Sequence, residues 1–178
     1  LVVFNAQRRE ISGENFVLLE IPKGKSKVNL RFNFDLQTIP WSDHTIYLQR
    51  GPLVYSLKID EEWKKIRTIG QFGDFEVYPK SDWNYALILS DGIRVVKMTV
   101  PCDEVPFYSQ AVPIKVQLKA FKVPEWTMRN GSADDPPLVK EDRIKYATID
   151  TVELVPYGCT TLRITEFPYV KEGGFSHE

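Results

Sequence analysis

Alternation of apolar and polar residues is the feature that most constrains how this chain can fold. The clearest run covers residues 27–36, where the apolar members are Val28, Leu30, Phe32, Phe34 and Leu36. Successive side chains of a β-strand point to opposite faces, so this run predicts a strand with one buried and one solvated face. Residues 53–59 and 114–119 repeat the pattern. The second of these slips at residues 120–121, which a β-bulge would explain.

Turn signals separate the apolar runs. The Asp-Gly pair at residues 91–92 lies between runs at residues 83–89 and 93–100, and Asp-Gly favours a type I′ hairpin because both turn residues need positive φ. Residues 23–24 (Lys-Gly) and 156–158 (Pro-Tyr-Gly) predict two more hairpins. These short strands and turns are typical of a β-sandwich or a β-barrel.

Helix has a single candidate, residues 60–67. Asp60 can cap it, and Trp63 and Ile66 lie on one helical face. Residues 124–140 contain three prolines and little periodicity, so we expect a long loop there. The sequence therefore predicts an all-β fold with at most one short helix.

Charge and hydropathy exclude several classes of protein. The 23 Lys and Arg residues against 24 Asp and Glu give a net charge of −1, without the positive excess of a general nucleic-acid binder. No apolar run approaches the roughly 20 residues of a membrane helix. We therefore expect neither nucleic acid nor a membrane as partner. Leu1 opens the chain without a signal-peptide pattern, and because an initiator Met is missing we expect a processed chain or an excised fragment. The periplasm and the cytoplasm both remain open as locations.

Residues suited to catalysis or metal binding are scattered. The two histidines are His44, in a Trp-Ser-Asp-His segment typical of a polar turn, and His177, in the expected tail. Cys102 and Cys159 are far apart and fit no zinc-ligand spacing. The carboxylates occupy polar loops or solvated strand positions, and nothing marks two of them as the facing pair that glycoside hydrolysis needs.

Tryptophan offers the remaining functional signal. Trp41, Trp63, Trp83 and Trp126 all fall in loops or at strand ends. An aromatic face is a flat apolar platform on which a sugar ring can stack, although tryptophan is more often a core residue. Core packing and sugar stacking both stay open at this point.

Four strings, in order, are recognisable. Residues 46–57 read IYLQRGPLVYSL, residues 82–89 read DWNYALIL, residues 122–126 read KVPEW, and residues 152–168 read VELVPYGCTTLRITEFP. Together they resemble the C-terminal region of the bacterial β-L-arabinofuranosidase-like glycoside hydrolases of family 127 and their relatives. RGPLVY and LVPYGCTTLRITEFP are the most specific, and the similarity covers residues 16–168.

The resemblance implies that the chemistry lies outside this chain. In that family an (α/α)₆ barrel precedes C-terminal β-sandwiches and carries a cysteine nucleophile, a zinc ion held by cysteines and a glutamate, and acid/base carboxylates. No family catalytic residue maps onto a position here, and Cys159 of the PYGC string is not carried over as the nucleophile. We therefore expect no catalytic, cofactor-binding or metal-binding residue.

The resemblance also implies nested domains, with a second antiparallel sandwich inserted into the first. The first sandwich, incomplete at its N-terminal side, would comprise residues 1–59 and 146–170, the insert residues 60–145, and a flexible tail residues 171–178. Residues 53–59 and 152–155 should then share a sandwich. Cys102 and Cys159 would lie in different sandwiches, beyond the roughly 7 Å Cα separation that a disulfide can bridge.

Two roles follow from the resemblance. In the first, the chain is a non-catalytic region that packs on and supports the catalytic barrel of the same parent protein. In the alternative, it is a carbohydrate-binding module that holds a plant-type oligosaccharide through loop tryptophans. Trp41 and Trp126 are the candidate contacts in both. A free-standing hydrolase is the least favoured class, because no catalytic constellation is visible.

Overall fold

The computed structural model describes residues 2–4, 7–9, 16, 18–89, 92–99 and 111–171. The chain forms two compact units, Leu1–Asp35 and Leu36–Glu178. Within the described residues the regular structure is β-strand and two short 3₁₀ segments, with no α-helix. The prediction of an all-β fold is confirmed.

The first unit contains a small antiparallel sheet. Its strands are β1 (Val2–Phe4), β2 (Gln7–Arg9) and β3 (Val28–Leu30), in the order β2-β1-β3. β3 is only part of the predicted strand over residues 27–36, and Leu30, Phe32 and Phe34 are exposed rather than on a buried face. A sheet of three-residue strands is too small to build a buried layer. The hairpin predicted at residues 23–24 is also wrong, because β3 pairs with β1.

The second unit holds all the other elements. Its strands are β4 (Leu36–Pro40), β5 (Thr45–Arg50), β6 (Leu53–Leu57), β7 (Glu61–Ile69), β8 (Phe72–Pro79), β9 (Tyr85–Leu89), β10 (Arg94–Lys97), β11 (Ile114–Lys122), β12 (Met128–Arg129), β13 (Ser132–Ala133), β14 (Ile149–Pro156) and β15 (Phe167–Lys171). The 3₁₀ segments are Glu141–Lys145 and Tyr157–Cys159.

Six of these strands close into a barrel in the order β11-β14-β6-β5-β15-β9, with β9 pairing back onto β11. Every pair in this ring is antiparallel except β15–β9, which is parallel. β4 pairs with β5, and β10 pairs with β11. The two-sandwich description is not confirmed, because β9 and β11 of the expected insert share one closed sheet with β5, β6, β14 and β15.

Residues 53–59 and 152–155, which were expected to share a sandwich, lie in the same closed sheet. β6 pairs with β14, with Leu57 opposite Leu154 and Tyr55 opposite Pro156. β6 and β14 are therefore neighbours in the sheet although they are far apart in the sequence, and two strands between them, β9 and β11, also belong to the barrel. β7 to β13 lie between these two points in the sequence.

The main core fills the barrel and follows the predicted alternation. Its buried members are Ile46, Leu48, Tyr55, Leu57, Ile59, Leu87, Ile114, Val116, Leu118, Ala120, Val152, Leu154 and Phe167. The apolar runs over residues 53–59 and 114–119 thus place their apolar residues inside, as expected.

A second cluster covers the outside of the barrel. It comprises Ala86, Ile88, Phe121, Val123, Trp126, Val139 and Val170. Ala120 belongs to the inner cluster and Phe121 to the outer one, and β11 keeps an unbroken register with β14 through both. The predicted bulge is therefore wrong. The alternation of apolar and polar residues breaks at residues 120–121 because both faces of β11 are buried there.

Two predicted hairpins in this unit are also wrong. β9 and β10 both run antiparallel to β11, at residues 120–122 and 114–117 of that strand, so they follow one direction and do not fold back on each other at residues 91–92. After β14, the chain enters a 3₁₀ segment and an irregular stretch before β15, which pairs with β5 and β9 instead of β14. The closed sheet offers β14 other partners, β6 and β11.

The helix predicted over residues 60–67 is the strand β7. It pairs with β8 around a two-residue turn in which Gly70 has φ +59°, the glycine position of a type II′ hairpin turn. Trp63 and the β-branched Ile66, Thr68 and Ile69 favour a strand over a short helix. β7 and β8 pair only with each other, and we call this two-stranded element the ribbon.

Cys159 is a buried free thiol at the end of the second 3₁₀ segment. Burial raises the pKa of this thiol. A protonated, buried thiol is a poor nucleophile. Cys102, His177 and the expected tail beyond Lys171 lie outside the described residues.

Candidate functional site

Trp41 stands at the turn between β4 and β5, and its side chain is 69% exposed. The turn is closed by a hydrogen bond from the Trp41 N–H to the Thr45 carbonyl oxygen, at 3.0 Å. Its ring meets the ring of Tyr47 edge to face, with centroids 6.0 Å apart. This contact orients the indole and leaves most of it in solvent.

A chain of hydroxyl groups connects this turn to Glu166. The Thr45 hydroxyl donates to Glu166 Oε1 at 2.6 Å, and Ser42 Oγ lies 2.6 Å from Thr45 Oγ1. Because Thr45 donates its only hydroxyl proton to Glu166, Ser42 is the donor to Thr45. Thr45 is buried, so the carboxylate is held from inside the fold. Between described residues, Glu166 Oε2 has no hydrogen-bond partner of its own.

These residues border a cleft of about 340 Å³, which we call the Trp41 cleft. Its lining residues are Trp41, Tyr47, Gln49, Val54, Thr165 and Glu166. Tyr47 and Gln49 face outward because their neighbours Ile46 and Leu48 point into the barrel core. Gln49 Nε2 donates to the Gly51 carbonyl at 2.8 Å, which leaves the Gln49 amide oxygen as an acceptor.

A second cleft, of about 590 Å³, adjoins the first, and we call it the Tyr157 cleft. It is lined by Pro52, Leu53, Val54, Pro156, Tyr157, Gly158 and Thr165. Val54 and Thr165 line both clefts, so the clefts are adjacent, and we call the two together the groove. Gly51, at φ +57°, turns β5 into β6 and places Pro52 on its rim.

Tyr157 is held at the far end of the groove by Arg163. The guanidinium carbon lies 4.3 Å from the centre of the Tyr157 ring, and Arg163 Nε donates to the Tyr157 carbonyl at 3.2 Å. The cation–π contact holds the ring of Tyr157, and the hydrogen bond holds its backbone carbonyl.

Trp126, the second candidate contact, is a core residue. Its side chain is 2% exposed, its ring packs edge to face on Trp83 at 5.3 Å, and its Nε1 donates to the Asp134 carbonyl at 2.7 Å. Asn84 Nδ2 clamps the same turn by donating to the carbonyls of Val123 and Trp126. Trp126 therefore does not offer a surface to a sugar or to another domain. It covers the outer side of the barrel instead.

The other chemical candidates are structural in this arrangement. His44 Nε2 donates to the Pro136 carbonyl at 3.0 Å and ties two loops together. Among the described residues no three or more His, Cys, Asp or Glu side chains converge on a point that could hold a metal ion. Likewise, no helix in that part of the chain is long and apolar enough to span a membrane.

The ribbon presents a second candidate surface, and its two faces differ. On one face, the paired face, charges satisfy each other. Arg67 pairs with Asp74, Lys64 lies 3.6 Å from Glu62 and 4.6 Å from the centre of the Tyr78 ring, and the Tyr78 hydroxyl donates to Glu76 at 2.6 Å.

The opposite face of the ribbon is aromatic. Trp63 and Phe75 meet edge to face at 5.9 Å, and Val77 lies directly across from Trp63. Trp63 is 54% exposed and Phe75 48%. Ile69 and Phe72 lie opposite each other at the tip of the ribbon, and both are exposed within the described residues. Large clustered apolar surfaces of this kind mark interaction sites.

Glu61 anchors the base of the ribbon to the stretch of chain between β14 and β15. Its Oε1 accepts hydrogen bonds from the backbone N–H groups of Thr161 and Leu162, at 2.8 and 2.9 Å, and its Oε2 accepts one from Trp63 Nε1 at 3.0 Å. Partial burial raises the pKa of Glu61, but these hydrogen bonds lower it by more, so the net shift is downward.

Sequence reasoning identified Trp41 and missed its partners in the groove. Glu166 and Tyr157 lie inside the recognised string at residues 152–168, but no spacing rule connects them to residue 41. The ribbon had a readable signal, since Gly70 separates two runs rich in aromatic and β-branched residues. Asn130-Gly131 had one too: both residues have positive φ and form the turn between β12 and β13.

Comparisons with protein-family models, with curated proteins and with solved structures found no match to this chain.

Proposed function

We propose that this chain is a non-catalytic β region of a bacterial β-L-arabinofuranosidase-like glycoside hydrolase that docks on the catalytic (α/α)₆ barrel through the ribbon. The observation that supports this proposal is the exposed aromatic face formed by Trp63 and Phe75. It belongs to the ribbon, whose two strands pair only with each other. The choice of partner rests on the resemblance of the four strings.

The contrast between the two faces supports docking by one of them. The paired face has its charges matched by neighbours, so it is suited to water. The aromatic face leaves Trp63 and Phe75 with apolar area that a partner surface could bury at roughly 25 cal/mol per Å². Tryptophan and other aromatics are the usual anchors of such interfaces.

The packing of the recognised strings supports a shared fold with that family. RGPLVY and VELVPYG meet where β6 pairs with β14. DWNYALIL and KVPEW meet where β9 pairs with β11 and where Asn84 clamps Val123 and Trp126. Strings that contact each other on neighbouring strands are the ones a common fold would preserve together.

The reading frame upstream of Leu1 provides the first test. We expect it to encode a helical barrel with the cysteine and glutamate residues of the family, and a frame without one would contradict the proposal. The purified chain should also be inactive. Turnover of an aryl arabinofuranoside above a heat-killed control would overturn the non-catalytic assignment.

The docking surface is tested by mixing the chain with that barrel in sedimentation velocity experiments. Trp63→Ser and Phe75→Ser should each weaken association at least about tenfold, a loss of about 1.4 kcal/mol. Leu138→Ser is the matched control, because Leu138 is also an exposed apolar side chain but lies away from the ribbon. Equal association of all the variants would show that the ribbon is not the contact.

A second candidate function is carbohydrate binding, and the Trp41 cleft is the observation that favours it. The cleft combines an exposed indole with the polar groups of Gln49, Thr165 and Glu166. Trp126 is no longer a candidate here, because it is buried. This alternative therefore depends on Trp41, and loss of saturable sugar binding in Trp41→Ala is its test.

A further inference from the structure

We propose that the groove binds one short, neutral oligosaccharide along its length, with one sugar ring on Trp41 and another against Tyr157. This inference rests on the second candidate function and specifies its ligand. It differs from a single-platform site because it assigns a role to the Tyr157 cleft, which the sequence did not single out.

The aromatic residues at the two ends suit sugar rings. The edge-to-face contact with Tyr47 holds the Trp41 ring in place while the indole stays 69% exposed. Arg163 holds the Tyr157 ring from one side, and the ring is 47% exposed. Both rings are thus oriented before a ligand arrives, so little side-chain freedom is lost on binding.

The polar groups between these ends include acceptors for the hydroxyl groups of a sugar. Glu166 Oε1 is engaged by Thr45, and the remaining oxygen can accept a hydroxyl proton from a ligand. The Gln49 amide nitrogen donates one hydrogen to the Gly51 carbonyl, which leaves the amide oxygen as an acceptor and the second N–H as a donor. A surface with fixed acceptors and a carboxylate suits a donor-rich, uncharged polyol and disfavours an anion.

Strand geometry sets the length of the ligand. Gln49 lies opposite Val54 on β6, and Tyr55 of β6 lies opposite Pro156, the neighbour of Tyr157. Two strand spacings of about 4.8 Å therefore put Tyr157 roughly 10 Å from Gln49. Trp41 lies on the other side of Gln49, beyond Tyr47. One monosaccharide cannot contact both ends.

Isothermal titration calorimetry with the whole chain tests this proposal. The ligands are mono-, di- and trisaccharides of arabinose, galactose and rhamnose. We expect the best trisaccharide to bind at least about tenfold more tightly than its monosaccharide, a difference of about 1.4 kcal/mol. Trp41→Ala should weaken both ligands, while Tyr157→Ala should weaken only the trisaccharide. Trp41→Phe, which keeps an aromatic platform, should restore part of the affinity.

Tyr146→Ala is the matched control, since Tyr146 is 88% exposed and lies outside the groove. Circular dichroism would verify that every variant folds. Equal affinity for mono- and trisaccharide, with no effect of Tyr157→Ala, would overturn the groove and leave a single Trp41 platform. No binding of any sugar would overturn both. Loss of barrel association in Trp41→Ala without sugar binding would identify the groove as a protein contact.

Discussion

Tyr55 shows how one buried polar atom affects the stability of a barrel. Its side chain is fully buried in the main core, and within the described residues its hydroxyl has no hydrogen-bond partner. Burial raises the pKa of this hydroxyl, and the charge of Arg50 offsets part of the rise. A buried donor without an acceptor typically costs about 1–3 kcal/mol.

We therefore expect Tyr55→Phe to keep or increase the free energy of unfolding, by up to about 1 kcal/mol. The substitution removes the unpaired hydroxyl and keeps the ring in place. Urea denaturation measures the change. Thr160→Val, which removes the other unpaired buried hydroxyl, should act in the same direction. A loss of more than about 1 kcal/mol in Tyr55→Phe would show that the hydroxyl is bonded, for example by a buried water.

Trp126 and Trp41 illustrate why residue type alone did not assign a role. Both lie outside the strands, and the same physical property of tryptophan suits a core and a sugar platform. What separates them is the surroundings. Asn84 and Trp83 enclose Trp126, whereas Trp41 contacts the ring of Tyr47 and stays 69% exposed.

At the scale of elements, the carboxylate of Glu61 anchors the base of the ribbon. Glu61 bonds two backbone N–H groups of the stretch before β15 and the indole of Trp63, so it connects the ribbon both to the barrel side and to its own aromatic face. Because the folded-state pKa of Glu61 is lowered, its contribution is present above the ordinary value of 4.5 and is lost as the pH falls through the folded-state pKa.

We expect the indole N–H resonance of Trp63 to titrate with a midpoint below pH 4.5, following Glu61. Over the same range the free energy of unfolding should fall, and Glu61→Gln should remove part of that pH dependence. NMR titration and urea denaturation at several pH values measure the two effects. Glu62→Gln is the control, because Glu62 lies on the paired face beside Lys64. A Trp63 midpoint above 4.5 would contradict the assignment.

β7 covers the residues that were predicted to form a helix, and its pairing with β8 explains why they form a strand instead. Trp63 and Ile66 at a spacing of three residues fit a helix face, whereas an unbroken strand would place them on opposite faces. A helix of two turns is marginal in isolation. Eight cross-strand pairs with β8, interrupted by one irregularity at residue 66, decide in favour of the strand.

At the scale of the whole molecule, the barrel is built entirely from the unit Leu36–Glu178. Its six strands are β5, β6, β9, β11, β14 and β15, and the buried core residues in the described part of the chain begin at Ile46, with Leu36 packed against them. The ring is closed by the parallel pair β15–β9, in which Tyr169 lies opposite Leu87. Closure removes the free edges that the expected open sandwich would have left.

We therefore expect residues 36–178 to fold without residues 1–35. The shortened chain should keep a strand-type circular dichroism spectrum and a cooperative urea transition. Non-cooperative unfolding, or aggregation under conditions in which the full chain is soluble, would show that the barrel needs the first unit. Barrels with many non-local strand pairs fold slowly, so equilibration must be verified at each urea concentration.

The sequence by itself determined the strand class and the inward residues of β6 and β11, because period-2 alternation depends only on which side chains avoid water. Nearly all of the remaining structure depended on contacts between distant residues. The barrel in place of two sandwiches follows from β9 and β11 pairing with strands far along the chain. The groove arises because one end of β14 lies beside the turn between β5 and β6, which puts Tyr157 near a cleft built around Trp41. Trp126 is buried because it belongs to the second cluster, which covers the outside of the barrel. Burial and proximity are properties of the assembled sheet, and no local pattern of residues encodes them.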